Sequence, residues 1–217
     1  MKHIVSNTYK PLLVKYLSKT RVYQYRDLSL KIPPQVFHPG FFSSTGLLLR
    51  QINKLQLAGK RLLELGAGSG LIAMNAARKG AVVTATDISP VAVEYLHRNG
   101  RENDLQLEII HSDLFETITP RQFDIIAINP PYYRKKRETW YDHAWYCGEN
   151  GEYFSGLFSQ LGDYIHADTT VLMVLCDGCD LEMIETAAIK NEFVMKLLLT
   201  KQTLLEKNFI YTIEKKR

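Results

Sequence analysis

The chain has 217 residues, 46% of them hydrophobic and 23% charged, with a formal net charge of +4. That is enough apolar material for one sizeable core, and so mild a basic excess permits contact with nucleic acid without requiring it. No run approaches the roughly 18 apolar residues of a membrane span, and the first residues lack a secretory stretch. Three cysteines, Cys147, Cys176 and Cys179, are too few for a disulfide framework, so we expect a cytoplasmic protein with free thiols and no membrane partner.

Residues 1–54 read as an N-terminal extension and residues 55–217 as the main domain. The extension offers an amphipathic helix with Leu12, Leu13, Tyr16 and Leu17. It continues with an alternating strand carrying Leu28, Leu30 and Ile32, ended by Pro33-Pro34. A second helix is expected from a cap at Ser43 or Ser44 through Leu47 to Leu55, with Gly59 beyond its end. From Arg61 onward, seven short apolar runs alternate with helical stretches: 62–65, 82–86, 107–110, 123–128, 171–175, 194–199 and 209–213. Strands alternating with helices imply crossovers, and hence a doubly wound, mostly parallel seven-stranded α/β sheet. Its ligand belongs beyond the carboxyl ends of the strands, where strand order reverses. The helix after the second run is capped by Ser89, has Pro90 first, and is expected to stop at Asn99-Gly100.

The first strand runs directly into Glu64-Leu65-Gly66-Ala67-Gly68-Ser69-Gly70. Glycines let the chain turn sharply and let a ligand lie against the backbone. Position 71 is Leu, so the dinucleotide fingerprint G-x-G-x-x-G is not met and a pyrophosphate ligand is disfavoured. Asp87 ends the second strand, where a carboxylate can accept both hydroxyls of a ribose. Glu64 suits a ligand with an ammonium group, although an acid near a helix start also complements the dipole. Asp113 follows the third strand and could take an adenine amine, although Asp there is also a common turn former.

The fourth strand ends in Asn129-Pro130-Pro131-Tyr132. The Asn129 side-chain oxygen and the Pro130 carbonyl are two acceptors that can grip an NH₂ group, and Tyr132 is a flat surface for a planar substrate. Together, Glu64, Gly66, Gly68, Gly70, Asp87, Asp113 and Asn129 to Tyr132 resemble a class I methyltransferase of the HemK type over about residues 40 to 165. The segment 144–151 resembles the Ala-Trp-x-Gly-Gly-x-x-Gly stretch of the short, single-domain branch, with Cys147 in place of a glycine.

That resemblance implies a Rossmann-like catalytic domain and S-adenosylmethionine as cofactor. Glu64, Gly66, Gly68, Gly70, Asp87, Ile88, Asp113, Leu114 and Asn129 would bind the cofactor, and Asn129, Pro130, Pro131 and Tyr132 would be catalytic. The implied acceptor is a glutamine amide in a release-factor-like protein, and some members of the short branch require a small zinc-binding activator protein. Phe37 to Ser43 also resembles the Pro-Gly-x-Phe-Ser stretch of ribosomal RNA guanine methyltransferases. The alternative substrate is therefore an amino group of an RNA or DNA base, adenine N6 or guanine N2.

Arg134-Lys135-Lys136-Arg137 reads equally as a phosphate contact or a solvated loop. Trp140, Tyr141, Trp145, Tyr146 and Tyr153 read as the roof of a pocket or as packing beneath a loop. Cys176-x-x-Cys179 lacks a second pair, and His38, His111, His143 and His166 share no ligand spacing, so no metal is expected.

Overall fold

A computed structural model of the chain describes residues 17–41, 43–203 and 206–216. The helix expected at Leu12, Leu13 and Tyr16 lies outside the described residues. Strands β1 (Arg21–Tyr25) and β2 (Leu28–Ile32) form an antiparallel hairpin, and the alternation of β2 buries Leu28, Leu30 and Ile32.

Helix α1 (Ser43–Ile52) follows. It stops three residues short of Leu55, because Lys54 N bonds to Gln51 O and Leu55 N to Ile52 O, the tightened i to i−3 pattern that closes a last turn. Ser43 lies inside the first turn, and its hydroxyl donates to Glu206 Oε1 at 2.8 Å while accepting from Asn208 Nδ2 at 2.8 Å.

The chain continues as β3 (Arg61–Leu65), α2 (Leu71–Arg78), β4 (Val82–Asp87), α3 (Pro90–Glu102), β5 (Glu108–His111) and β6 (Phe123–Ile128). Next come β7 (Tyr133–Arg134), β8 (Tyr146–Gly148), α4 (Glu152–Leu161), β9 (Ile165–Cys176), α5 (Leu181–Lys190), β10 (Phe193–Gln202) and β11 (Lys207–Lys215). Seven strands form one sheet in the order β10-β11-β9-β6-β3-β4-β5. All pairings from β9 to β5 are parallel, and β11 runs antiparallel to both of its neighbours. All seven expected runs are strands of this sheet, which is doubly wound and mostly parallel.

Alternation within each strand sends side chains to two cores. Leu62, Ile125 and Leu172 face one side, where Leu48 of α1, Ile72 of α2, Leu96 of α3 and Leu30 of the hairpin cover them. Leu63, Ile126 and Met173 face the other, against Phe154 and Phe158 of α4 and Ile184 of α5. The extension therefore shares the core of the sheet.

Helix α3 begins as expected, with Ser89 Oγ accepting from Ala92 N and Pro90 in first position. It does not stop at Asn99-Gly100 but runs to Glu102. The reason lies outside the helix: Asn99 Oδ1 accepts from Lys31 N at 2.9 Å and its Nδ2 donates to Lys31 O at 3.0 Å. One turn on, Asn103 Oδ1 accepts from Ser29 N at 2.9 Å and its Nδ2 donates to Ser29 O at 2.8 Å. Four helical residues rise about 6 Å and two strand residues about 6.6 Å. Two asparagines four apart thus match alternate residues of β2 and act as a surrogate strand along its edge.

Candidate functional site

Strand order reverses at β3, since β4 and β5 lie to one side of it and β6 to the other. The crevice at the carboxyl ends is lined by the loops after β3, β4, β5 and β6. Gly66, Gly68 and Gly70 all have positive φ, at 70°, 51° and 77°, and so take the sharp turn that a Cβ would penalise. Ala67 N donates to Thr86 O at 2.7 Å, which pins the loop to β4. A Cβ at Gly66 would meet nothing within 4 Å, so this stretch of backbone is open to a ligand. Gly70 does not line the crevice; a Cβ there would come 2.5 Å from Leu96 Cδ2, so it serves the packing of α2 on α3.

Three acids converge on the same crevice. Glu64 is buried, accepts from Ala73 N at 2.6 Å, and is pushed by burial up to about 8. The Asp87 carboxyl accepts from Gly68 N and Ser89 N, both at 2.8 Å. Its burial raises the pKa, and these two bonds oppose the rise. Asp113 is exposed at the rim, one residue after Ser112, whose N donates to Asp87 O at 3.0 Å. Ile88 and Leu114 complete this side, and the carbonyl of Ile88 is hydrogen-bonded to His111 Nε2 at 2.8 Å.

Across from the acids stand Asn129, Pro130, Pro131 and Tyr132. A residue before proline is held in extended backbone, and neither proline offers a donor, so this turn presents oxygens. Asn129 Nδ2 donates to Thr45 Oγ1 at 3.1 Å. Among the described residues no donor reaches Asn129 Oδ1. Burial foremost, and then the neighbouring Cys176, drive the Tyr132 pKa far upward, so the phenol stays neutral. Its ring meets Tyr133 edge-on at 4.9 Å.

Sequence reasoning did not find the strap Gln35-Val36-Phe37, which the extension lays over the glycine loop, nor Thr45 beside Asn129. The roof comes from the loop between β7 and β8. Asp142 Oδ2 accepts from Glu138 N, Thr139 N and Thr139 Oγ1, locking a short 3-10 helix (Trp140–Ala144) that sets His143 and Trp145 over the cleft. Phe37 and Trp145 meet at 5.3 Å between ring centroids. Of the aromatic cluster, Trp145 and Tyr153 line the cleft and Tyr146 instead lies under Lys135 at 4.8 Å; the side chains of Trp140 and Tyr141 lie outside what is described.

The tetrabasic segment is largely engaged within the fold. Arg134 pairs with Asp180 at 3.0 Å, Lys135 sits on Tyr146, and Arg137 is hydrogen-bonded to His143 at 3.3 Å. Cys176 and Cys179 form a local turn, with the Cys179 thiol donating to Cys176 O at 2.8 Å. Among the described residues no three His, Cys, Asp or Glu side chains converge to hold a metal ion, and no helix is long and apolar enough to cross a membrane.

A family model described as the methyltransferase small domain matches residues 28–146. Among curated proteins, the chain is 37% identical over 112 residues to a Methanocaldococcus jannaschii protein provisionally named a protein N5-glutamine methyltransferase. It is 34% identical over 145 residues to ribosomal RNA small subunit methyltransferase C of Haemophilus influenzae, and 37% over 113 residues to the release factor glutamine methyltransferase of Lactococcus lactis. These matches cover 51%, 61% and 50% of this chain and 54%, 43% and 40% of the relatives, so the chain spans about half of their length. Among solved structures, the fold is shared with the E. cuniculi Mtq2–Trm112 complex (TM-score 0.64, 20% identity, 83% of this chain and 99% of that one). It is shared as well with the T. thermophilus 16S rRNA N2 G1207 methyltransferase in complex with AdoMet and guanosine (TM-score 0.63, 20% identity, 92% and 50%).

Proposed function

The chain belongs to the methyltransferase small domain family, and from that premise we propose that it transfers a methyl group from S-adenosylmethionine to a planar amide nitrogen, the side chain of a protein glutamine. The observation that carries this reading is the pair of acceptors, Asn129 Oδ1 and the Pro130 carbonyl, at the strand-order reversal beside an open glycine loop. The donor set fits the cofactor: Gly66 leaves an uncovered cradle, Asp87 is placed to take hydroxyls, and Glu64 is a buried acid suited to a cationic ligand. Ile88, Asp113 and Leu114 would flank its base. Gly70 supports the loop from beneath.

When bound, the cofactor supplies a methyl group made electrophilic by its sulfonium. The chain supplies alignment, which can lower a barrier by roughly 7 to 11 kcal/mol. Asn129 and Pro130 accept the two N–H bonds of the amide and turn its nitrogen lone pair away from themselves. Those bonds strengthen as positive charge grows on nitrogen, which stabilises the transition state over the bound amide; the methyl–sulfonium bond breaks as the methyl–nitrogen bond forms, and the methylated nitrogen then loses one proton to solvent. Tyr132, neutral and half-buried, offers its ring to the planar group and takes no proton.

Residues 1–54 act here as an extension that supplies the strap and Thr45 to the catalytic unit, residues 55–217. Two relatives named for glutamine methylation support the substrate class. The second reading, a base amino group in RNA or DNA, is favoured by the likeness to ribosomal RNA small subunit methyltransferase C. Against it, three of the four residues 134–137 are already engaged within the fold. The likeness to Mtq2, solved with Trm112, supports a small activator protein as a partner to be included in the assay.

The test is transfer of labelled methyl from S-adenosylmethionine into cell extract, with protein and RNA separated before counting. Label in a protein band that Asn129→Ala reduces about ten- to a hundredfold is the expected result, one acceptor being worth about 1 to 3 kcal/mol. Label confined to RNA would replace this reading with the second.

A further inference from the structure

Within the proposed active site, and resting on that reading, we propose that Thr45 is the positioning residue that fixes the Asn129 amide for methyl transfer. Thr45 stands in the first turn of α1, on the extension, 84 residues away in sequence from the residue it contacts. Its side chain is 6% exposed, and Asn129 Nδ2 donates to its Oγ1 at 3.1 Å.

An asparagine amide has two faces of opposite polarity, and rotation by half a turn exchanges a donor for an acceptor. Only the form with Oδ1 toward the cleft can accept from a substrate NH₂. The reversed form would set a donor against a donor. Thr45 takes the Nδ2 branch, so Oδ1 occupies the other branch of the amide. Proline at the next position restricts the Asn129 backbone but leaves the last side-chain torsion, which is broad and roughly two-fold, to be set by neighbours. Thr45 restrains the plane of that amide from a second element, its hydroxyl fixing the torsion while the groups that meet Oδ1 in the cleft select the polarity, and α1 holds it in place through Leu47, Leu48, Leu49 and Ile52, all buried in the core.

This assigns the extension a part in the chemistry. A helix outside the strand-end motifs, which run from Glu64 to Tyr132, reaches the proposed reacting centre through one hydroxyl, so that docking of α1 and competence of Asn129 are coupled.

The experiment compares wild type, Thr45→Val, Thr45→Ser, Asn129→Ala and the Thr45→Val/Asn129→Ala double variant. Initial rates are measured on the acceptor fraction at saturating cofactor, and cofactor binding by calorimetry with S-adenosylmethionine. Thr45→Val is expected to lower kcat about tenfold, the effect of one hydrogen bond, with cofactor affinity within about twofold of wild type. Thr45→Ser, which keeps the hydroxyl, restores kcat to within about threefold. The double variant is no slower than Asn129→Ala, because Thr45 acts only through that amide. The losses of the two single variants multiplying, or Thr45→Val turning over like wild type, would overturn the assignment.

A second readout is independent of turnover. In ¹⁵N-labelled protein the Asn129 side-chain NH₂ should exchange slowly with solvent in wild type and Thr45→Ser and at least tenfold faster in Thr45→Val. Equal exchange in all three would also overturn it. If wild type transfers no methyl to protein or RNA, the proposed function fails, and the exchange measurement still decides the role of Thr45.

Discussion

Replacing Asn99 by Ala removes both hydrogen bonds that Lys31 backbone makes with α3, at 2.9 and 3.0 Å. The Lys31 N–H and C=O then face a helix without partners. At about 1 to 3 kcal/mol for each of the two stranded groups, less about 0.5 kcal/mol for the better helix propensity of Ala, the cost is roughly 1.5 to 5.5 kcal/mol. For a chain of this size each kcal/mol moves Tm by about 2 to 4 °C, so a fall of about 3 to 20 °C is expected in thermal unfolding followed by circular dichroism. Asn103→Ala should behave similarly, and the double variant should cost less than the sum, because β2 loses its edge contact with the first change. Cofactor affinity should fall as well, since β2 leads directly into the strap over Gly68. An Asn99→Ala protein melting within about 1 °C of wild type would refute the surrogate-strand argument.

Gly70→Ala places a methyl 2.5 Å from Leu96 in a backbone of φ 77° and should destabilise by about 2 to 4 kcal/mol in urea unfolding. Gly66→Ala, with nothing within 4 Å, should cost only about 1 to 2 kcal/mol of stability while weakening cofactor binding, a contrast read by pairing unfolding with calorimetry. Burial raises Glu64 from 4.5 to about 8, so between those values the folded chain holds a proton that the unfolded chain has released. Stability from this group is fully present below about 4.5 and is lost as pH rises through about 8, by at most about 5 kcal/mol. Glu64→Gln should flatten that slope in unfolding measured from pH 5 to 8.5. Arg134→Ala breaks an ion pair whose side chains are 50% and 35% exposed and should change stability by less than about 1 kcal/mol, a shift that vanishes in 0.5 M salt.

The seven strands of the main sheet were legible because each contains a short apolar run, and the run 123–128 coincides with β6 to the residue. The lining of the candidate site was legible where a single residue type is forced by backbone geometry, as in the positive φ of Gly66 and Gly68 or the paired prolines after Asn129. What the sequence concealed is set by partners far away in it. Asn99 looks like a helix stop, yet a strand 68 residues earlier makes it a fully buried interior residue of α3. Thr45 looks like one more polar residue near a helix start, and nothing local marks its contact with Asn129. Tyr146 and Tyr153 are alike as sequence, and only the β7–β8 pairing and the start of α4 separate the one under Lys135 from the one lining the cleft.

The antiparallel insertion of β11 between β9 and β10 has a consequence for the order of assembly. On the ribosome β10 emerges first, but among the described residues its one neighbour in the finished sheet is β11, which is made later. Until then the β9 edge stands open, and β10, with Leu197 and Leu198 more than half exposed even in the native fold, has nothing to pair with. β10 and β11 pair as a local hairpin, and closing the sheet then means docking the β11 edge of that hairpin onto β9, the non-local and therefore slower event. The nascent chain is thus most vulnerable to edge-to-edge association after the candidate cleft has all its strands and before the sheet that braces it is complete.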